Sequence, residues 1–554
     1  MKRRPIYWFA PSLFLLLFFF YPLARVLLLS IKTETGTLSV LTSLPEFLNV
    51  LQFTLFQAFL STLLTLLVGI PIAYLFSHFN FHGKPLLRAL TAVPFMLPTV
   101  VVAAGFTALL GPRGWVNLAL MNTFNLSAPP ITFVGTLTAI LIAHVFYNST
   151  IVIRLVGNSW AQLDPRLAQA ARVLGADTKT VQSRITLPLL RPSLLAATLL
   201  VFLFDFTSFG VILLLGGTQF RTLEVEIYIQ AMHFLNLPAA AILSMIQLLC
   251  TLFFSIVYSR VVNRSIVPLN PRAGSINLRP AKSLREKLFV GFASVFIIIL
   301  FVLPMVALPA RSVVRLEPDR GERGTIQPAF TLNNYRELTI NRNGSLFYVP
   351  PMNAVRNSLV YAVITVILSL LLGFPAASAL TRPSRLEKIV DPFLMLPLGA
   401  SAVTLGLGYI LAFNRWLYFP FLIPLAHTTL ALPFVIRSLQ PALASIPQRL
   451  RDAASVLGAS PRQVWQSVDF PIISRALTAA GVFAFTVSLG EFGATAMLVR
   501  PEYPTMTTAI ARFLSLPGGL NYGHAMAMAT ILLLVTTTAI LIIEKIRLPG
   551  SGEF

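Results

Sequence analysis

Arg166 to Leu190 reads RLAQAARVLGADTKTVQSRITLPLL, and Arg449 to Ile473 reads RLRDAASVLGASPRQVWQSVDFPII. Laid side by side without a gap, the two segments share an opening Arg-Leu, an Ala pair, Val-Leu-Gly-Ala and a late proline, so one unit occurs twice in the chain. The same register pairs AHVFYNSTIVIRL from Ala143 with AHTTLALPFVIRS from Ala426, which sets His144 against His427 and Gly175 against Gly458. Farther upstream, LLVGIPIAYL from Leu66 resembles LLLGFPAASA from Leu370. The likeness therefore covers most of each half.

What the unit is made of follows from its solvent. The 554 residues are 56% hydrophobic and only 11% charged, far from the quarter-charged composition of a soluble domain. Apolar runs lie near 6–30, 52–77, 89–110, 134–154, 193–216 and 237–259, and again near 288–309, 353–379, 391–412, 419–437, 476–499 and 521–543. Each meets the roughly 20 residues that one hydrocarbon crossing needs. The reading is an all-α polytopic membrane protein of about twelve transmembrane helices, six in each half. Residues 1–259 form the first repeat, 260–287 an arginine-rich cytoplasmic linker and 288–554 the second repeat. An even number of spans per half makes the copies run parallel, related by a pseudo-two-fold axis along the membrane normal.

The formal net charge of +22 raises the question of nucleic acid. Its distribution answers for topology instead: the basic clusters at Lys2 to Arg4, Lys84/Arg88, Arg154 to Arg191, Arg260 to Lys287, Arg382 to Lys388 and Arg437 to Arg475 all fall on one side, which places both termini in the cytoplasm. The outer loop from Arg311 to Arg356 is the exception, its arginines interleaved with Glu317, Asp319, Glu322 and Glu337. Interleaved aromatics and a recognisable nucleic-acid module are both lacking, so the charge is expected to meet anionic lipid, not nucleic acid. The single cysteine, Cys250, excludes a disulfide framework or a CxxC metal site. The run from Pro5 to Ile31 is longer than a secretory h-region and lacks an Ala-x-Ala end, as expected of a retained anchor.

Between the fourth and fifth spans of each half, at about 155–192 and 438–475, lies a basic loop patterned as two short helices around a glycine. It reads Gln169-Ala170-Ala171, three residues, Gly175, nine residues, Ile185-Thr186-Leu187-Pro188 in the first half. In the second it reads Asp452-Ala453-Ala454, three residues, Gly458, nine residues, Val468-Asp469-Phe470-Pro471. The Ala pair leaves a helix face that another protein can approach, and the glycine ends that helix with a permissive φ. Ser460, Pro461 and Gln463 spell the start of a second helix, with Asp177 the matching cap in the first half. Pro188 and Pro471 are expected to end the element before the chain re-enters the bilayer. This spacing resembles the Glu-Ala-Ala loop of the permease subunits of binding-protein-dependent ABC importers, with Gln169 and Asp452 where that family has Glu. The resemblance implies an ATPase subunit, in two copies, whose clefts receive these coupling helices, and a solute-binding protein at the outer face. ATP and Mg²⁺ would be used by that partner. No Gly-x-x-x-x-Gly-Lys-Ser/Thr loop occurs in this chain. Neither does an HExxH, a Gly-x-Ser-x-Gly elbow or a paired-carboxylate site, so no catalytic residue is expected and the chain reads as a transport subunit, not an enzyme.

Two acids sit in apolar surroundings, Asp205 in the fifth span and Glu491 in the eleventh. An acid at the centre of a spanning helix costs about 3 kcal/mol on insertion scales, so it faces a cavity or a partner. The repeat register sets Asp205 against Ser488 and Ser208 against Glu491, on about the same helix face. Two readings stand for these four residues: a negative path for a cationic solute, or hydrogen bonds to neighbouring helices. His144 and His427 are too few for a metal site and read as helix packing. Gly210, Gly490 and Gly493 mark close approach or kinks, and Pro94, Pro98 and Pro397 mark bends in the third span of each half. Fused two-copy permeases resemble the thiamine and ferric-iron branches of the family, and FTSFGVILLLGGTQFRTLEVEIYIQA from Phe206 and SLGEFGATAMLV from Ser488 look like stretches of thiamine permeases. The resemblance implies a thiamine-like cation, with ferric iron as the alternative. From another class, an ion-coupled secondary transporter also suits parallel repeats and intramembrane acids, but has no need of two matched cytoplasmic loops.

Overall fold

A computed structural model describes residues 4–32, 34–217, 219–264, 278–315, 329–340, 349–381 and 385–546. Expectations resting on Lys2 and Arg3, on linker residues 265–277, on Glu317, Asp319 and Glu322, on Arg382 and on the tail from 547 lie outside the described residues. Backbone groups in hydrocarbon must bond within their own segment, and the apolar runs are accordingly helical. Eleven described helices are long and apolar enough to cross a membrane, and the pair Leu386–Gly399 and Ala402–Ala412, bent by 100°, brings the number to twelve. The bend falls between Gly399 and Ala402, just after the tight turn Leu396–Gly399 that holds Pro397, and Pro94–Met96 forms a matching tight turn before Thr99–Leu110.

Each half is a bundle of its own second, fourth and fifth spans: Pro45–His78 packs on Leu137–Ala161 and Leu187–Phe206, and Pro351–Leu380 packs on Leu422–Ala444 and Phe470–Gly490. The first spans cross over. Tyr21–Lys32 of the first half packs on Ala402–Ala412 of the second, and Leu303–Ser312 of the second packs on Thr99–Leu110 of the first. Both crossings are made by a proline carbonyl against a glycine. A Cβ on Gly408 would come within 2.9 Å of Pro22 O, and one on Gly105 within 2.9 Å of Pro304 O. Only a residue without a side chain permits such contact.

The same prolines explain a further symmetry. A proline inside a helix clashes with the carbonyl four residues back and gives up one hydrogen bond. Each first span absorbs this in a π turn, Leu16–Phe20 before Pro22 and Ile298–Val302 before Pro304, in which the N–H of Tyr21 reaches Leu16 O and that of Leu303 reaches Ile298 O. The pseudo-two-fold thus extends to single hydrogen bonds.

Two short strand pairs lie outside the helices. Phe79–Asn80 pairs in parallel with Arg279–Pro280, so the end of the linker is docked against the first half. Arg279 lies 5.2 Å from the Phe79 ring and 2.6 Å from Glu286. Val314–Arg315 pairs antiparallel with Ala329–Phe330.

The fifth and eleventh spans begin and end differently from the expected apolar runs. They are helical from Thr178–Phe206 and Pro461–Gly490, break, and resume as Gly210–Leu215 and Gly493–Leu498. Hydropathy cannot register the break, because Phe209 and Phe492 keep it apolar.

Candidate functional site

The loops between the fourth and fifth spans of the two halves fold as paired helical knobs. In the first, Asp164 Oδ1 accepts the N–H of Arg166 at 2.9 Å and starts Pro165–Val173. The chain reverses at Gly175, whose φ of +87° is the left-handed cap that favours glycine. Asp177 then accepts the N–H of Thr180 at 3.0 Å to start Thr178–Val181, and these Thr180 bonds hold its carboxyl below the usual carboxylate range. The second knob repeats the plan: Gln448–Val456, Gly458 at φ +82°, and a reciprocal box in which Gln463 N donates to Ser460 Oγ at 3.4 Å and Ser460 N to Gln463 Oε1 at 2.8 Å. Gln169, Ala170, Asp452 and Ala453 are exposed, and Ala171 and Ala454 half-buried, in the same order in both copies.

Pro188 and Pro471 do not end the element. They are second residues of the helices Leu187–Phe206 and Phe470–Gly490, which continue from the short helix through π turns at Gln182–Thr186 and Trp465–Asp469. The i→i−5 bonds from Leu187 N–H to Gln182 O and from Phe470 N–H to Trp465 O carry the helix past the proline, whose missing N–H would otherwise break it. Ile185, Leu187 and Pro188, like Val468, Phe470 and Pro471, therefore lie along a continuous joint between knob and fifth span.

Reading the sequence missed the most exposed apolar pair on each knob. Val173 and Leu174 are 87% and 88% exposed, and Val456 and Leu457 86% and 87%. Beside a charged helix, each pair leaves an apolar patch that another surface can cover. The signal was the Val-Leu that precedes both glycines.

At their inner ends the two fifth spans meet. The rings of Phe209 and Phe492, each just past a helix break, stack with centroids 5.4 Å apart and planes 26° apart. Gly490 lies against Pro98 of the other half and Gly210 against Thr99 of its own, as expected of glycines at close approach.

Asp205 and Glu491 each lie beside a histidine of their own half. Asp205 is fully buried, accepts from Asn148 Nδ2 at 2.7 Å and Thr62 Oγ1 at 3.5 Å, and lies 3.4 Å from His144 Nδ1. Ser208 Oγ lies 2.8 Å from His144 Nε2. Glu491 caps Gly493–Leu498 by accepting the N–H groups of Ala494 and Thr495 at 2.8 and 2.9 Å, and lies 3.3 Å from His427 Nε2. Ser488 Oγ lies 2.8 Å from His427 Nδ1. Among the described residues no three His, Cys, Asp or Glu side chains are grouped to hold a metal. A further acid that sequence reading passed over, Glu224, is buried in Leu223–Met232 between the fifth and sixth spans; two acids alternating with apolar residues in LEVEIYIQ were the available signal.

Residues 65–266 match the family described as binding-protein-dependent transport system inner membrane component. Over 461 residues, 81% of this chain and 79% of the relative, the chain is 29% identical to the thiamine transport system permease protein ThiP of Brucella abortus (strain 2308). It is 26% identical to the protein of the same description from Salmonella typhimurium over 565 residues, 99% of this chain and 98% of the relative. A putative 2-aminoethylphosphonate transport system permease protein, PhnU, of Salmonella typhi is 26% identical over 49% of this chain and 96% of its own length. A single permease of that kind thus corresponds in length to one half of this chain.

Proposed function

We propose that this chain, an importer permease of the binding-protein-dependent inner membrane component family with two units fused in one polypeptide, moves a small organic cation of the thiamine type into the cytoplasm, driven by ATP hydrolysis on a separate ATPase. Two ATPase copies dock on the two knobs, through the faces of Gln169 to Ala171 and Asp452 to Ala454 and the exposed Val173-Leu174 and Val456-Leu457. An external binding protein delivers the solute to the outer face, and both termini lie in the cytoplasm. The thiamine-type cargo is favoured by the names of the full-length relatives.

The observation that carries this reading is the continuity of each knob with a fifth span. The helix Thr178–Phe206 has 29 residues, a lever of about 43 Å at 1.5 Å per residue. When the ATPase pair closes on nucleotide, the knobs approach, and each lever shifts its inner end as a rigid body. The breaks at Thr207 and Glu491 take up the strain, and the Phe209–Phe492 stack is the contact that such a shift separates. No nucleotide chemistry is asked of this chain; it converts a displacement into an opening.

The test is uptake into vesicles holding the chain with the ATPase and binding protein encoded beside it. ATP-dependent thiamine accumulation supports the whole reading, whereas ATP-dependent ferric iron accumulation keeps the machine and changes the cargo. Uptake driven by an ion gradient without any ATPase would replace it with a secondary transporter.

A further inference from the structure

Asp205 and Glu491 both have histidines beside them, but Glu224 does not. Its side chain is buried, 1% exposed, at the first turn of Leu223–Met232. Its carboxylate accepts from Gln247 Nε2 of the sixth span at 2.5 Å and from Ser401 Oγ of the other half at 2.7 Å. Both partners are neutral. The nearby Arg221 pairs with Glu226 at 3.6 Å, and among the described residues no ion pair to Glu224 is formed. A buried carboxylate without a counter-charge is costly unless a cation comes to it or it takes up a proton.

The surroundings offer more acceptors than donors. Gln247 Oε1, Thr404 Oγ1 and Thr222 Oγ1 are buried and have no hydrogen-bond partner. Most buried polar atoms are satisfied, so such a group of unpaired oxygens needs an explanation. Thr404 lies one turn into the helix that Ser401 caps, with its N–H donating to Ser401 Oγ at 3.0 Å. Both line a narrow cleft, with about 10 Å³ of free space, together with Thr251, Leu248 and, from the first span, Phe19 and Leu23. The cleft lies where the two halves meet.

We propose that Glu224, with Ser401, Thr404 and Gln247, forms a binding station for the positively charged group of the transported solute at the seam between the halves. This deepens the proposed function and rests on its cationic solute. The carboxylate supplies the charge, and the unpaired oxygens take the hydrogen-bond donors of the solute. Because the station draws on both halves, a relative shift of the halves takes it apart and releases the cation. Asp205 and Glu491 then keep the helix breaks in place instead of meeting the solute.

The test uses the full complex in vesicles with thiamine as the probe. Glu224→Gln preserves the shape and an acceptor for Ser401, and should lower uptake about tenfold or more, as loss of a charged hydrogen-bond partner does, with unchanged yield and melting temperature. Thr404→Val removes an unpaired hydroxyl. If that hydroxyl only packs, the change leaves uptake alone; as a solute ligand, its loss raises the half-saturating concentration several-fold while the melting temperature holds. Wild-type thiamine uptake with equal uptake by Glu224→Gln overturns the station and leaves the functional reading standing. Loss of uptake that merely follows loss of yield and melting temperature also overturns it. A wild-type complex that imports only neutral or anionic solutes would instead overturn the functional reading on which the station rests.

Discussion

Ser208 and Glu491 occupy equivalent places in the two halves, and each faces Nε2 of the equivalent histidine, at 2.8 Å from His144 and 3.3 Å from His427. On the Nδ1 side the residue types are exchanged: Asp205 faces His144 at 3.4 Å and Ser488 faces His427 at 2.8 Å. Each half therefore sets an acid and a hydroxyl on opposite nitrogens of one imidazole next to its helix break, with a second hydroxyl, Ser61 or Thr495, on the acid's side of the ring. What the two copies share is the composition of the trio, and either arrangement satisfies a buried carboxylate.

Asp205→Ser should accordingly destabilise the protein in detergent by about 1–3 kcal/mol, because Asn148 Nδ2 and Thr62 Oγ1 lose their acceptor. Adding Ser208→Glu, which reproduces the order of the second half, should recover part of that loss. Melting curves of the purified single and double variants check it; a double variant less stable than the single would contradict the equivalence of the two trios.

Leu174→Asp together with Leu457→Asp should leave membrane insertion and yield unchanged and abolish recovery of the ATPase. Both side chains are nearly fully exposed, so the folded chain loses little, whereas a central apolar anchor in an interface contributes about 2 kcal/mol or more at each site. Co-purification with a tagged chain measures this, and undiminished ATPase would remove these residues from the docking surface.

Gly105→Val and Gly408→Val should each cost about 1–3 kcal/mol, by driving a side chain against the backbone carbonyls of Pro304 and Pro22. The two contacts are related by the pseudo-two-fold, so the two losses should be similar. Thermal stability is the readout, and a large effect from one glycine with none from the other would show that the crossings are not equivalent.

Much of this architecture was legible in the sequence. The number of spans follows from apolar runs, the duplication from gapless registers such as His144 with His427, and the caps at Asp177 and Ser460 from residues whose side chains satisfy a helix start. Three features were not legible, each for a physical reason. The helix breaks at Phe209 and Phe492 are as apolar as the helices they interrupt, so hydropathy passes over them. The prolines at 188 and 471 look like terminators until the π turns ahead of them are seen. The environment of Glu224 depends on Ser401, 177 positions away in the chain and in the other half, a pairing that local pattern cannot reveal.

If the joint transmits force, loosening it should separate hydrolysis from transport. Ile185→Gly with Val468→Gly weakens each joint by about 1 kcal/mol of helix preference without touching the exposed Val-Leu pairs. The complex should still assemble and hydrolyse ATP, with fewer solute molecules accumulated per ATP. The ratio of uptake to phosphate release in vesicles reports this, and an unchanged ratio would mean that the link between knob and seam runs elsewhere.

The most direct test of the central claim is to purify the tagged chain with the proteins encoded beside it, and to measure ATPase stoichiometry and the response of hydrolysis to thiamine-loaded binding protein. Two ATPase copies per chain and hydrolysis that rises with the loaded binding protein are the predicted result. A chain that purifies without an ATPase and accumulates solute on an ion gradient alone would contradict it.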